Sequence, residues 1–571
     1  MSSSSSISLS IPLPALAVGV KGSDVFSSSG DPRVDLNVKC VRGAEPTALC
    51  AALDGILALK TQESLEDAFV LAFNARNIRG GKGEKAVFQV LYGRLCETQG
   101  VVAKALLDLI PHYGCWNDLL VLAEASQRDI SKAIVDLYAK TLHEESKLEK
   151  PKTLVAKWAP REGSKHKEMA KQIAWVLFPP QLVEKHSAQM NHYRRLVADM
   201  NAKLNTVEVL MCTDRWDEIV PASVPGRAGK LYSKAFLNLP STHKVKGEEP
   251  KGEFRHPDSA KRMECRRKFE EHFAAAAAGK AKVHGADTLF PHEVVQRASQ
   301  EHGLTSAERD QLNAVWLGMV EKAKATGGLG RSIFMSDFSS SMSGTPYWVS
   351  MALGILGSTV CSDEFKDKLM TFDSDPTWHS FEPGSDLFAR IKTIEDSEIG
   401  QGLSTDFQKA MDLVLATLKE KRCRPGQEPE NLIVLTDMGW DQACASNEMS
   451  GYTSHSYRNV VKTAGWQTHI QMIQEAFKRA GEDMWGPGQG FTAPRIVIWN
   501  LRTSPQTDFH ATADTPGVAM LSGWSATQFE ILMKEGPRQM TAYEMLRLEL
   551  DDPKYLRVRE RIRAVQASRL I

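Results

Sequence analysis

The sequence predicts an α + α/β chain: an all-helical N-terminal half, a bundle or HEAT-like stack, followed by a doubly wound, mostly parallel sheet. Three observations carry this expectation. Helical periodicity runs from about residue 45 to 235 and resumes after a polar stretch at 238–260. After Gly330 the rhythm changes to short apolar runs alternating with helical segments. Two of those runs then end in the same way, on a hydroxyl followed by an aspartate: Ser336-Asp337 and Thr436-Asp437.

A chain of 571 residues exceeds one ordinary core, so two or three domains are expected. The division predicted is a Ser-rich disordered tail over 1–44, a helical domain over 45–328, a sheet domain over 329–535, and closing helices over 536–571. With 42% apolar and 25% charged residues the composition is that of a globular protein. No window approaches the ~18 uninterrupted apolar residues of a membrane span, so no membrane partner is expected. The opening "MSSSSSISLSIPLPALAVGVKG" has no basic residue before its apolar part and contains two prolines, which argues against a signal peptide. Nine scattered cysteines without a CxxC pair suggest reduced thiols in the cytoplasm, or alternatively the nucleus, and neither a disulfide framework nor a zinc finger.

In the first half, "SLEDAFVLAFNARNI" places Leu65, Phe69, Leu71 and Phe73 around a largely apolar helix, and "KAVFQVLYGRL" continues in the same manner. Residues 238–260 are polar with several prolines and glycines and read as a long loop. An alanine-rich helix follows, then "SAERDQLNAVWLGMVEKAKATGGLG", a helix stopped by Gly327-Gly328. Strands are expected at 332–335, 368–372, 431–436, 495–501 and 517–523. Helices are expected between them, at about 346–360, 385–395, 406–420, 467–480 and 525–535.

In a doubly wound sheet, ligands bind beyond the carboxyl ends of strands where the strand order reverses. If the strands carrying Asp337 and Asp437 flank that reversal, the two acids share one crevice and repel unless a cation lies between them. Asp337, Ser339 and Ser341 form Asp-x-Ser-x-Ser, and alternate residues of an extended loop project to one side. Thr405 in "GQGLSTDF" can add a third hydroxyl. These are hard oxygen ligands, suited to Mg²⁺, Mn²⁺ or Ca²⁺ and not to zinc. Ser339, Ser341 and Thr405 could bind directly, with Asp337 and Asp437 holding waters and one position left for an incoming carboxylate or phosphate. An acid facing a solvent-filled crevice would be dispensable to the fold. The bland alternative is a serine-rich turn, with Ser404 or Thr405 capping the helix that opens at Asp406.

Asp337-x-Ser339-x-Ser341, Thr405 and Asp437 resemble the metal-ion-dependent adhesion site of von Willebrand factor A domains, over about residues 329–535. In the first half, "RNIRGGKGEKAVF", "IPHYGCWNDLL", "KWAPRE" and "VPGRAGKLYSKAF" resemble an uncharacterised eukaryotic family in which a helical domain precedes such an A-like domain. That domain order is similar to the TROVE (Ro-like) proteins. The resemblance implies a helical half that binds RNA and an A domain that carries the metal.

Other motifs lead nowhere. "RGGKGEK" lacks the Ser or Thr after Lys82 and the preceding strand that a phosphate loop needs. It reads as an interhelical turn or a phosphate contact by Arg79, Lys82 or Lys85. There is no HExxH helix and no GxSxG elbow, so no catalytic role is assigned. Residues 1–330 hold 45 Lys and Arg against 39 Asp and Glu, the remainder 25 against 31, a modest bias toward an anionic partner for the first half. Arg79, Lys82, Lys85, Arg194, Arg195, Arg227 and Lys230 are the candidate RNA contacts. The sequence thus points to a non-enzymatic scaffold, its helical half on RNA and its metal on a protein partner's Asp or Glu. The rival is a protein–protein adaptor without RNA.

Overall fold

The structure, a computed structural model, describes residues 14–18, 24–182, 185–240, 254–325, 327–372, 375–397, 407–438, 466–503, 509–533 and 540–568. The chain separates into two compact units that do not follow the linear division expected. One comprises Met1–Leu71 and Ala323–Pro553, the other Ala72–Lys322 and Lys554–Ile571. Among the described residues no helix is long and apolar enough to cross a membrane.

The first unit holds a two-stranded antiparallel pair, β1 (Leu16–Val18) and β2 (Asp24–Phe26), and a six-stranded sheet. Its strands are β3 (Ser332–Asp337), β4 (Lys368–Phe372), β5 (Trp378–Ser380), β6 (Asn431–Thr436), β7 (Arg495–Asn500) and β8 (Val518–Ser522). Their order is β5-β4-β3-β6-β7-β8. All pairings are parallel except β4 with β5. The five strands expected from the apolar runs are present. Strand β5 was not expected, because its three residues, Trp-His-Ser, lack an apolar run and are not buried.

Strands β3, β6, β7 and β8 are buried at every position, as a sheet covered on both faces requires. Helix Thr345–Val360 lies against β3. A Cβ at Gly357 would sit 2.1 Å from Phe334 Cζ, so only glycine lets the helix approach this closely.

Residues 24–44, expected within a disordered tail, are folded. Helix Pro32–Lys39 starts at Asp31, whose carboxylate accepts the Arg33 N–H at 2.8 Å, and buries Val34, Leu36 and Val38. Its carbonyl at Val38 accepts from Asn500 Nδ2 at 3.0 Å, beside the end of β7. The buried Asp67 carboxylate lies between Arg547, at 2.7 Å, and Arg33, at 3.3 Å. The closing helices expected at the C-terminus are real but divide between the units. Ala542–Leu550 belongs to the sheet unit, opened by a Thr541/Glu544 capping box.

The second unit is built of helices, including Lys85–Thr98, Trp116–Ala125, Arg128–Ser146, His186–Leu204, Gly226–Phe236, Ala260–Ala277 and most of Ser306–Ala325. Phe73, Phe88, Tyr92 and Tyr113 form one of its aromatic clusters. Helix Leu556–Ala567 closes this unit: Tyr555 stacks on Tyr113 at 5.6 Å, and Arg561 donates to the Ala105 carbonyl at 3.0 Å. The segment 238–260 lies partly outside the described residues. Gly327 and Gly328 both have positive φ, as a glycine stop to the preceding helix demands.

Candidate metal centre

Strand order puts the reversal between β3 and β6. From β3 the chain proceeds to β4 and β5 on one side, then crosses to β6, β7 and β8 on the other. The loops leaving the carboxyl ends of β3 and β6 therefore part and open a crevice. Asp337 is the last residue of β3, and Asp437 follows the last residue of β6. The register that pairs Ser336 with Leu435 brings Asp337 beside Thr436.

Asp337 has no exposed surface, and here the structure corrects the sequence reading of a solvent-facing acid. Its Oδ1 accepts the Ser339 N–H at 2.8 Å, and its Oδ2 accepts the Thr436 hydroxyl at 3.0 Å. Burying a carboxylate is costly unless hydrogen bonds or a counter-charge compensate it, and these two bonds supply part of that compensation. The first of them turns the chain sharply after β3. A short 3₁₀ turn over Ser340–Met342 follows, anchored by buried Met342 and by Phe338 packed on Tyr347 at 5.4 Å. The Ser339 and Ser341 hydroxyl oxygens consequently lie 3.0 Å apart. Asp337, Ser339 and Ser341 are thus brought together by an ordered loop.

On the other side of the crevice Asp437 is half-buried. The residue after it, Met438, is buried with φ +66°, a left-handed conformation uncommon for a long side chain. Its N–H donates to Thr436 Oγ1 at 3.1 Å, and its carbonyl lies 2.7 Å from His510 Nε2. Thr436 Oγ1 therefore links the two strand ends, accepting from Met438 while donating to Asp337. Burial drives the His510 pKa down to about 4, against the opposing pull of the Met438 carbonyl and Asp437. The imidazole is accordingly neutral near pH 7. Because a carbonyl only accepts, Nε2 carries the proton.

Thr436 and His510 are the two participants that the sequence reading missed. Thr436 had a signal, the repeated hydroxyl-acid ending of two strands. His510, in "DFHATAD", had none. Thr405 lies outside the described residues, as do Ser404 and Asp406.

The donor set is hydroxyl and carboxylate oxygen, which fits a hard divalent ion. Among the described residues no three of His, Cys, Asp and Glu assemble into a metal-holding group.

The candidate RNA contacts fare differently. Lys82 is 1% exposed, and in this conformation its ammonium cannot meet an external phosphate. Lys85 lies 3.6 Å from Asp118, and Arg79 donates to the His112 carbonyl at 3.0 Å. Arg194 lies 3.4 Å from Glu162. Arg227 and Lys230 share Glu293, at 3.0 and 2.7 Å. Burial alone would raise the Glu293 pKa, but Lys230 and Arg227 hold it below the usual carboxylate range. Arg195 is exposed.

Residues 331–566 match a family described as a domain of unknown function, DUF7788. The chain is also similar to an uncharacterized protein of Acanthamoeba polyphaga mimivirus, 25% identical over 534 residues, covering 90% of this chain and 83% of the relative. That similarity extends through both the sheet unit and the helical unit.

Proposed function

We propose that the sheet unit is a non-enzymatic, divalent-cation-dependent binding module of the von Willebrand factor A type. The observation that carries this reading is the ordered Asp337-x-Ser339-x-Ser341 loop at the strand-order reversal. The strand order and the single antiparallel edge strand support it further. Asp337, Ser339 and Ser341, with Thr405 and Asp437, are the residues that would hold Mg²⁺, Mn²⁺ or Ca²⁺. The bound ion supplies an electrophilic position for an anionic oxygen. Mostly neutral direct ligands leave that position attractive to a carboxylate, so the partner is a protein offering Asp or Glu.

For the helical unit, the adaptor reading is favoured over RNA binding. Lys82 is buried, and Arg227 and Lys230 both engage the single carboxylate of Glu293. Of the candidate contacts, Arg195 is exposed, and the others would meet RNA only after leaving their present surroundings.

The test is Mn²⁺ titration of the full chain by electron spin resonance, comparing wild type with Ser339→Ala/Ser341→Ala and with Thr405→Ala. One ion per chain is expected in the wild type, with affinity falling at least about tenfold in each variant. Equal binding in all three proteins would overturn the reading.

A further inference from the structure

Met438 is held at both of its backbone polar groups. The Met438 N–H is taken by Thr436 Oγ1 at 3.1 Å, and the Met438 carbonyl by His510 Nε2 at 2.7 Å. We propose that His510 is a positioning residue for the metal centre, its Nε2–H locking the left-handed turn at Met438 and so fixing the backbone from which Asp437 projects. The inference rests on the metal reading above and names a residue outside the proposed ligand set.

The argument begins with the turn. A non-glycine residue at φ +66° persists only where its surroundings determine it. Hydrogen bonds at both polar backbone groups of Met438, together with its buried side chain, are that determination here. Releasing the carbonyl frees Met438 to relax toward negative φ, which rotates the preceding peptide and with it the origin of the Asp437 side chain.

His510 can serve this purpose because its own position is braced. It is 3% exposed and sits in the segment after β7. That segment is pinned by backbone bonds to the N-terminal residues: Phe26 N–H to the Phe509 carbonyl at 2.8 Å, and Ala513 N–H to the Ser29 carbonyl at 2.7 Å. A buried donor on a braced segment is the arrangement by which outer residues orient metal ligands. It also gives the folded N-terminal segment a part in the site.

Two variants separate positioning from bulk. His510→Phe keeps a ring and removes the donor, whereas His510→Gln keeps an N–H donor of similar reach. Both are compared with wild type by Mn²⁺ titration of the full chain under electron spin resonance, with folding checked by thermal melting in chelator. His510→Phe should raise the Mn²⁺ dissociation constant about tenfold, and His510→Gln should stay within about threefold of wild type. Wild-type affinity in His510→Phe would overturn this inference while leaving the metal reading intact. A wild-type chain that binds no Mn²⁺ would overturn both. If His510→Phe does not fold, His510→Gln decides: retained binding supports the donor's role, and a tenfold loss in folded protein refutes it.

Discussion

Replacing Asp337 with alanine should destabilise the sheet unit even without metal. The side chain is fully buried and accepts two hydrogen bonds, from Ser339 N–H and from the Thr436 hydroxyl. Alanine leaves both donors without that acceptor. A buried donor stripped of its partner costs about 1–3 kcal/mol, partly offset by removing a buried charge, so about 2–4 kcal/mol should be lost. In a unit of this size each kcal/mol moves the midpoint by about 2–4 °C, and a fall of about 5–15 °C follows. Asparagine is the informative companion. Its carbonyl oxygen can still take the Ser339 N–H, and the Thr436 hydroxyl can turn to accept from the amide, so the loss should be about 1 kcal/mol. Asparagine nonetheless lacks the negative charge, so ion affinity should fall in both variants. Scanning calorimetry in chelator isolates the structural part. An Ala variant that melts within about 1 °C of wild type would refute the idea that this carboxylate organises the loop.

Gly357→Ala tests the helix–sheet contact: the added Cβ would overlap Phe334, and thermal or urea unfolding should report a loss of about 1–3 kcal/mol. Glu293 has a depressed pKa, so its contribution to stability is present above the usual carboxylate range and is lost as pH falls through the depressed value. Glu293→Gln should therefore flatten the acid limb of the helical unit's stability profile. The same variant frees Arg227 and Lys230. If RNA binding is real, affinity should rise and fall more steeply with salt, by roughly 0.7 log units per log unit of salt for each single-strand phosphate newly neutralised. A filter-binding assay that finds no RNA affinity in either protein would leave the adaptor reading standing alone.

Much of the candidate site was legible because its signals are local. Asp-x-Ser-x-Ser is contiguous, and both strands announce themselves as apolar runs ending on a hydroxyl and an acid. What escaped was the state of each acid and base. Asp337 was expected to face solvent, and it lies buried because the Thr436 hydroxyl comes to it from a neighbouring strand 99 residues away. Lys82 was expected to reach outward, yet it is buried. Charge gives only an average preference for exposure, and the partners that override the average come from elsewhere in the chain.

The sequence by itself determined most of the helices and the five principal strands, since period and apolar run length are properties of a few consecutive residues. It also determined which oxygens stand at the ends of β3 and β6. Only the tertiary structure decided that these ends flank the reversal of strand order, because strand pairing is a long-range choice that periodicity does not encode. Only it recruited residues 24–39 into the sheet unit: their serine-rich surroundings look like a tail, but Val34, Leu36 and Val38 find an apolar surface to bury against. His510 came from the same source. A histidine carries no local mark of its role, and its hydrogen bond to Met438 exists because packing sets a segment following β7 against the turn that follows β6.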